Sequence, residues 1–158
     1  MNEELQKLAY KAHSKKRDFK DAADKIRKLK PARADELFHQ LHEQAFAEIN
    51  CLECANCCKQ LGPRLTNSDI RRLSSQLKMK TSDFTAQYLN LDEDHDYVFR
   101  NMPCPFLLPD NYCMVYSSRP KACKDYPHTD QKNIKSIINA CIKNTETCPA
   151  VFYIFENL

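Results

Sequence analysis

Residues 51–58 read Cys51-Leu52-Glu53-Cys54-Ala55-Asn56-Cys57-Cys58, four thiols within eight positions, and this stretch decides what the rest of the chain has to build. Thiols at that density are either oxidised in pairs or gathered around a metal. A Cys-x-x-Cys turn lets two sulfurs reach one ion while intervening amides point at them, and thiolates favour zinc or iron-sulfur centres over magnesium or calcium. Neighbouring side chains diverge, so Cys57 and Cys58 are expected to serve different metals or different atoms of one cluster. More than one metal atom is therefore expected.

Five further cysteines supply the missing ligands: Cys104 in Pro103-Cys104-Pro105, Cys113 after Pro109-Asp110-Asn111, Cys123 after Arg119-Pro120, then Cys141 and Cys148. The total of nine exceeds two four-sulfur shells by one. Cys141 shares a helix face with Ile134 and Ile138 and packs inward with or without a metal. Cys148 precedes proline at a helix start, where the dipole favours a thiolate, and so ranks above Cys141 as a ligand. A four-thiolate zinc site carries a net charge of about −2, which a nearby cation offsets; Arg119 is the first choice ahead of Lys59, Lys121 and Lys124. The odd cysteine count, and a start at Met1-Asn2-Glu3-Glu4-Leu5 without an apolar secretory run, predict a reducing cytoplasm instead of a disulfide framework.

Working outward, Leu5, Leu8, Ala12, Phe19, Ala22, Ile26 and Leu29 recur at helical spacing and predict one long amphipathic helix from Glu3 to about Leu29. Pro31 opens a second helix carrying Leu37, Leu41, Ala45 and Ile49. The two are expected to form a helical hairpin over 1–49, packed on a metal-binding domain over 50–158. Thr66-Asn67-Ser68-Asp69 offers capping side chains for a helix that buries Ile70, Leu73 and Leu77, and Thr81-Ser82-Asp83 opens another with Phe84, Tyr88 and Leu89. Tyr97-Val98-Phe99 and Cys113-Met114-Val115-Tyr116 favour extended backbone on either side of a turn, which reads as a small β-hairpin or an irregular metal loop. Ile134, Ile137, Ile138, Cys141 and Ile142 mark a further helix, and Cys148-Pro149 opens a short last one. The expected fold class is mainly α: a small helical domain with a cysteine-rich irregular or β-hairpin insert organised around a metal centre.

Composition narrows the function. The chain has 158 residues, 42% of them hydrophobic, enough for one real core. Residues 1–30 hold ten Lys or Arg against five Asp or Glu, a local +5 that leaves the rest of the chain at −2. A solvated helix face is the expected use of that charge, and neither nucleic acid nor membrane is an expected partner. The longest apolar runs, such as Val151-Phe152-Tyr153-Ile154-Phe155, are too short to cross a bilayer. With one glycine no glycine-rich phosphate loop can form, and no nucleophile motif is present. Glu36-x-x-His39 with His42 resembles half of a carboxylate-bridged di-iron helix pair, but no second half follows, and a polar helix face is expected there.

With these residues in view, the chain resembles the CxxCxxCC cysteine-cluster family, the YkgJ-like proteins described as zinc- or iron-chelating domains, over roughly residues 50–150. The resemblance is carried by Cys51 to Cys58, by Pro103-Cys104-Pro105-Phe106-Leu107, and by the stretch from Cys113 through Tyr116, Arg119-Pro120 and Cys123 to Tyr126-Pro127, in that order. It implies an eight-cysteine binder of zinc or iron, including an iron-sulfur cluster as one form. That set is Cys51, Cys54, Cys57, Cys58, Cys104, Cys113, Cys123 and one later cysteine, Cys148 ahead of Cys141. A related domain in flagellin lysine methylases implies, as an alternative, an iron-sulfur enzyme for redox chemistry or methyl transfer. Whether the chain is an enzyme, and which residues are catalytic, stays open at this point. A second alternative is an adaptor that binds nucleic acid or a protein partner through the basic first helix.

Overall fold

The apolar spacing of the first thirty residues is realised as two helices instead of one. The structure, a computed structural model, describes residues 3–158, with nothing described for the side chains of Glu4 and Leu5. The expectations placed on Met1, Asn2 and the Leu5 side chain lie outside the described residues. In chain order the elements are α1 (Glu3–Ser14), α2 (Lys16–Lys28), α3 (Pro31–Glu48), α4 (Cys51–Cys54), α5 (Asn56–Gln60), β1 (Arg64–Leu65), α6 (Asn67–Gln76), α7 (Thr81–Tyr88), β2 (Leu89–Leu91), β3 (Tyr97–Phe99), α8 (Lys121–Asp125), α9 (Ile138–Asn144) and α10 (Pro149–Glu156). Single 3-10 turns sit at Tyr116–Ser118 and Ile134–Ile137. The fold is mainly α, and it divides into two compact units: residues up to Asn50 together with Pro127–Leu158, and Cys51–Tyr126.

In the first unit the break between α1 and α2 falls at Lys15 (φ −95°, ψ 7°), although its amide still reaches Lys11 O at 3.1 Å and its carbonyl still accepts from Phe19 N at 3.0 Å. The buried stripe therefore keeps its phase along Leu8, Ala12, Phe19, Ala23 and Ile26, with Ala23 buried where Ala22 was expected. Along α3 it runs Ala34, Phe38, Leu41 and Ala45, so Phe38 takes the inward place expected of Leu37. Both stripes close on α10, the most apolar helix: the Phe19 ring lies 5.5 Å from those of Phe152 and Phe155, and Phe38 lies 6.0 Å from Phe155. α9 adds Ile138 and Cys141. The 3-10 turn before it is held by Asp35 of α3, whose two carboxylate oxygens accept from Asn133 N and Ile134 N, each at 2.9 Å.

In the second unit a capping box starts α6: Thr66 Oγ1 accepts from Asp69 N at 3.1 Å while Asp69 Oδ2 accepts from Thr66 N at 2.9 Å. Ile70 and Leu73 of α6 pack with Phe84 of α7, Leu89, Phe99, Phe106 and Val115 into the core of this unit. β3 is central in an antiparallel three-stranded sheet, pairing Tyr97 with Leu91 on one side and with Leu65 on the other. The hairpin expected across 97–117 is thus replaced. Tyr97–Phe99 turns back through Asp92–Asp96 to β2, and Cys113 makes only an isolated bridge to Leu107.

Candidate metal centre

The four clustered thiols come from two short helical turns. Ala55, in the left-handed region (φ 47°, ψ 18°), ends α4 and starts α5; its N–H donates to Cys51 O at 2.8 Å and its carbonyl accepts from Lys59 N at 3.1 Å. An L-residue in that conformation costs about 1–2 kcal/mol, and here it allows Cys51 and Cys54 to be presented separately from Cys57 and Cys58. Cys57 Sγ and Cys58 Sγ lie 4.0 Å apart.

A second strand of chain is tied to these turns by the main chain itself, for Cys104 N donates to Cys58 O at 2.8 Å. The loop that follows is shaped by Leu108 N to Tyr112 O at 2.8 Å and Met114 N to Phe106 O at 2.9 Å, and Asn111 Nδ2 donates to Glu53 O at 2.8 Å. This loop turns backbone N–H groups onto sulfur: those of Phe106 and Leu107 onto Cys104, and that of Val115 onto Cys113. Cys104 and Cys113 also rest against the apolar cluster of the unit.

Electrostatics mark the same group. Burial, and then charge on neighbouring Cys58, pushes the Cys123 thiol up to about 12; burial is also the main reason that Cys104 is pushed up to about 11. Cys51 and Cys113 are raised by burial first and by neighbouring cysteines after it. Cys58 moves the other way, lowered to about 7 by a hydrogen bond from Cys57, against burial, and then by the positive charges of Arg119 and Lys59. Arg119 opposes the upward shift at Cys51, Cys113 and Cys123 as well, so one positive charge acts on four of the thiols. That guanidinium is held 3.6 Å above the Tyr116 ring and donates through Nε to Tyr116 O at 2.9 Å. Lys121, another candidate cation, is engaged with Asp125.

The structure thus brings Cys51, Cys54, Cys57, Cys58, Cys104, Cys113, Cys123 and Arg119 into one unit, while Cys141 and Cys148 belong to the other. Cys141 is fully buried in α9, its thiol pushed up to about 12 by burial with no other cysteine contributing. Cys148 sits at the N-cap of α10, 8% exposed. His39 and His42 are spent on the first unit's own chain, with Nε2 2.9 Å from Gln131 O and Nδ1 2.8 Å from Thr129 Oγ1 respectively. Two residues that sequence reasoning passed over are Asp69, read only as a helix cap, and Arg72. Asp69 Oδ1 also accepts from Lys121 N at 3.0 Å, and Arg72 Nη2 donates to Arg119 O at 2.7 Å. The Thr66-x-x-Asp69 spacing was the one visible signal.

The donor set fits a thiophilic metal. It is all sulfur, it carries an opposing cation, and it has N–H groups aimed at sulfur, as metal thiolates require. The cysteines converge without closing: among the described residues no three His, Cys, Asp or Glu side chains are drawn together into a ready ligand set. No disulfide joins the nine described cysteines.

Seven of the nine described cysteines are thus gathered in one unit of a mainly helical chain. The CxxCxxCC family model, described as a "putative zinc- or iron-chelating domain", matches residues 50–149, and the chain belongs to that family. Neither a curated protein nor a solved structure gives a significant match. Among the described residues no helix is long and apolar enough to cross a membrane.

Proposed function

We propose that the chain is a metal-binding protein that holds zinc or an iron-sulfur centre, with more than one metal atom, through Cys51, Cys54, Cys57, Cys58, Cys104, Cys113 and Cys123. The observation that carries this reading is the gathering of seven cysteines within Cys51–Tyr126, where Cys51, Cys57, Cys104, Cys113 and Cys123 all interact with Cys58. Seven cysteines in one unit exceed a single four-sulfur shell by three, which favours two metals or one cluster.

When bound, the metal supplies cross-links between segments that otherwise meet through few contacts. The chain's own residues do the rest: Phe106, Leu107 and Val115 donate N–H groups to sulfur, and Arg119 balances thiolate charge. The clustered, odd-numbered cysteines suit a reducing cytoplasm.

The test is the metal content after anaerobic purification, with the visible spectrum. Two or more metal atoms per chain are expected, colourless for zinc and broadly absorbing for iron-sulfur. Freshly prepared wild-type protein that contains no metal and takes up none on reconstitution overturns the reading.

A further inference from the structure

Helix α8, which carries Cys123, has no cap of its own. Its N-cap is Pro120, which offers no side-chain acceptor, and it is only five residues long. The first N–H of that helix is taken instead by Asp69, 52 residues earlier, at 3.0 Å. Asp69 is 2% exposed, and its carboxylate is shared out completely: Oδ2 accepts from Thr66 N and Thr66 Oγ1 (2.7 Å), and Oδ1 from Lys121 N and from Arg72 Nη2 at 2.6 Å. Arg72 then grips the preceding peptide groups, with Nη2 on Arg119 O at 2.7 Å and Nε on Ser118 O at 3.3 Å. One ion pair on α6, its carboxylate buried and its guanidinium partly exposed, therefore holds the main chain on both sides of Pro120. Arg119, whose positive charge acts on the thiols, and Cys123 both hang from that segment.

We infer that Asp69 and Arg72 are positioning residues of the metal centre, setting the Ser118–Lys121 main chain so that Cys123 and Arg119 reach the other thiolates. The inference rests on the metal-binding reading above. A buried carboxylate is costly unless every lone pair is used, and a planar guanidinium suits two carbonyls and a carboxylate at once, which an ammonium cannot reproduce. The capping box uses Asp69 Oδ2 and Thr66 Oγ1 alone, so the reach of Asp69 Oδ1 and Arg72 to residues 118–121 is not needed to start α6.

The experiment titrates reduced, metal-free protein with Co2+ and follows thiolate-to-metal absorption in wild type, Asp69→Asn, Arg72→Lys and Cys123→Ser. Asp69→Asn is expected to weaken Co2+ binding about 10–100-fold, the usual range for partners that orient a ligand. At saturation its spectrum is expected to lose intensity in the manner of Cys123→Ser. Arg72→Lys keeps the charge and loses the double grip, so it should fold and show the same change in smaller degree. Variants that melt lower but bind Co2+ with wild-type midpoint and spectrum would reduce the pair to a structural role and overturn the inference, leaving the metal-binding reading intact. If Asp69→Asn fails to fold, Arg72→Lys decides by the same criterion. Wild-type protein that gives no Co2+ spectrum and takes up no iron-sulfur centre on reconstitution sinks both readings together.

Discussion

A serine at position 54 or 123 replaces a soft thiolate by a hydroxyl that a thiophilic metal binds poorly, so Cys54→Ser and Cys123→Ser should each lower metal content. Cys141→Ser should instead cost about 1–3 kcal/mol in a denaturant melt, because it leaves a hydroxyl in a site with 0% exposure. Metal analysis beside unfolding curves for the three variants separates the two effects; a Cys141→Ser protein depleted of metal would overturn this assignment. The thiols themselves were legible in the sequence, since spacing within 51–58 is local information. Asp69 and Arg72 were not, because their partners stand 46 to 52 residues away and nothing in the local pattern of α6 reports them.

At the scale of elements, α6 ends in a turn that an exposed lysine occupies against its preference. Lys78 has φ 54°, with its N–H on Ser75 O at 3.1 Å and Met79 N on Ser74 O at 2.9 Å, the paired bonds of a left-handed helix terminus. Glycine adopts that conformation freely, so Lys78→Gly should stabilise the protein by about 1 kcal/mol, read as a raised denaturation midpoint. The start of α6 predicts a pH effect. Burial pushes the Asp69 carboxyl up, but the bonds from Thr66, Arg72 and Lys121 outweigh it and hold the group below its ordinary 3.8. A carboxyl depressed in the folded state adds stability above its unfolded value and loses it as pH falls through the folded one. Metal-free wild type should therefore lose stability below about pH 3.8, and Asp69→Asn should show a flatter decline over that window. Helices with a clear apolar stripe, such as α6 and α10, were readable from spacing alone. The sheet was not: β1 has two residues and pairs with a strand more than thirty positions on, so tertiary packing of Phe99 and Leu65 decided it.

For the molecule as a whole, both units have an aromatic core, and the second is expected to draw on metal as well. In the first, Phe38→Ala at 0% exposure should cost about 3–5 kcal/mol with metal present or absent. The second holds a long cysteine-bearing loop, and a ligand that binds only the folded state adds about 2.7 kcal/mol at a hundred times its dissociation constant. Melts under reducing conditions should therefore show a large upward shift on metal loading, and a transition unmoved by complete chelation would remove the structural role from the cysteines. The division of the chain at Asn50 and Pro127 carries one more consequence. During synthesis α1, α2 and α3 leave the ribosome well before α10, so the faces of Phe19 and Phe38 stay wet until Phe152 and Phe155 arrive. The cysteine-bearing middle of the chain is complete earlier than that. A nascent protein therefore has seven of its nine thiols available for metal capture while the core around Phe19, Phe38 and Phe155 is still unfinished.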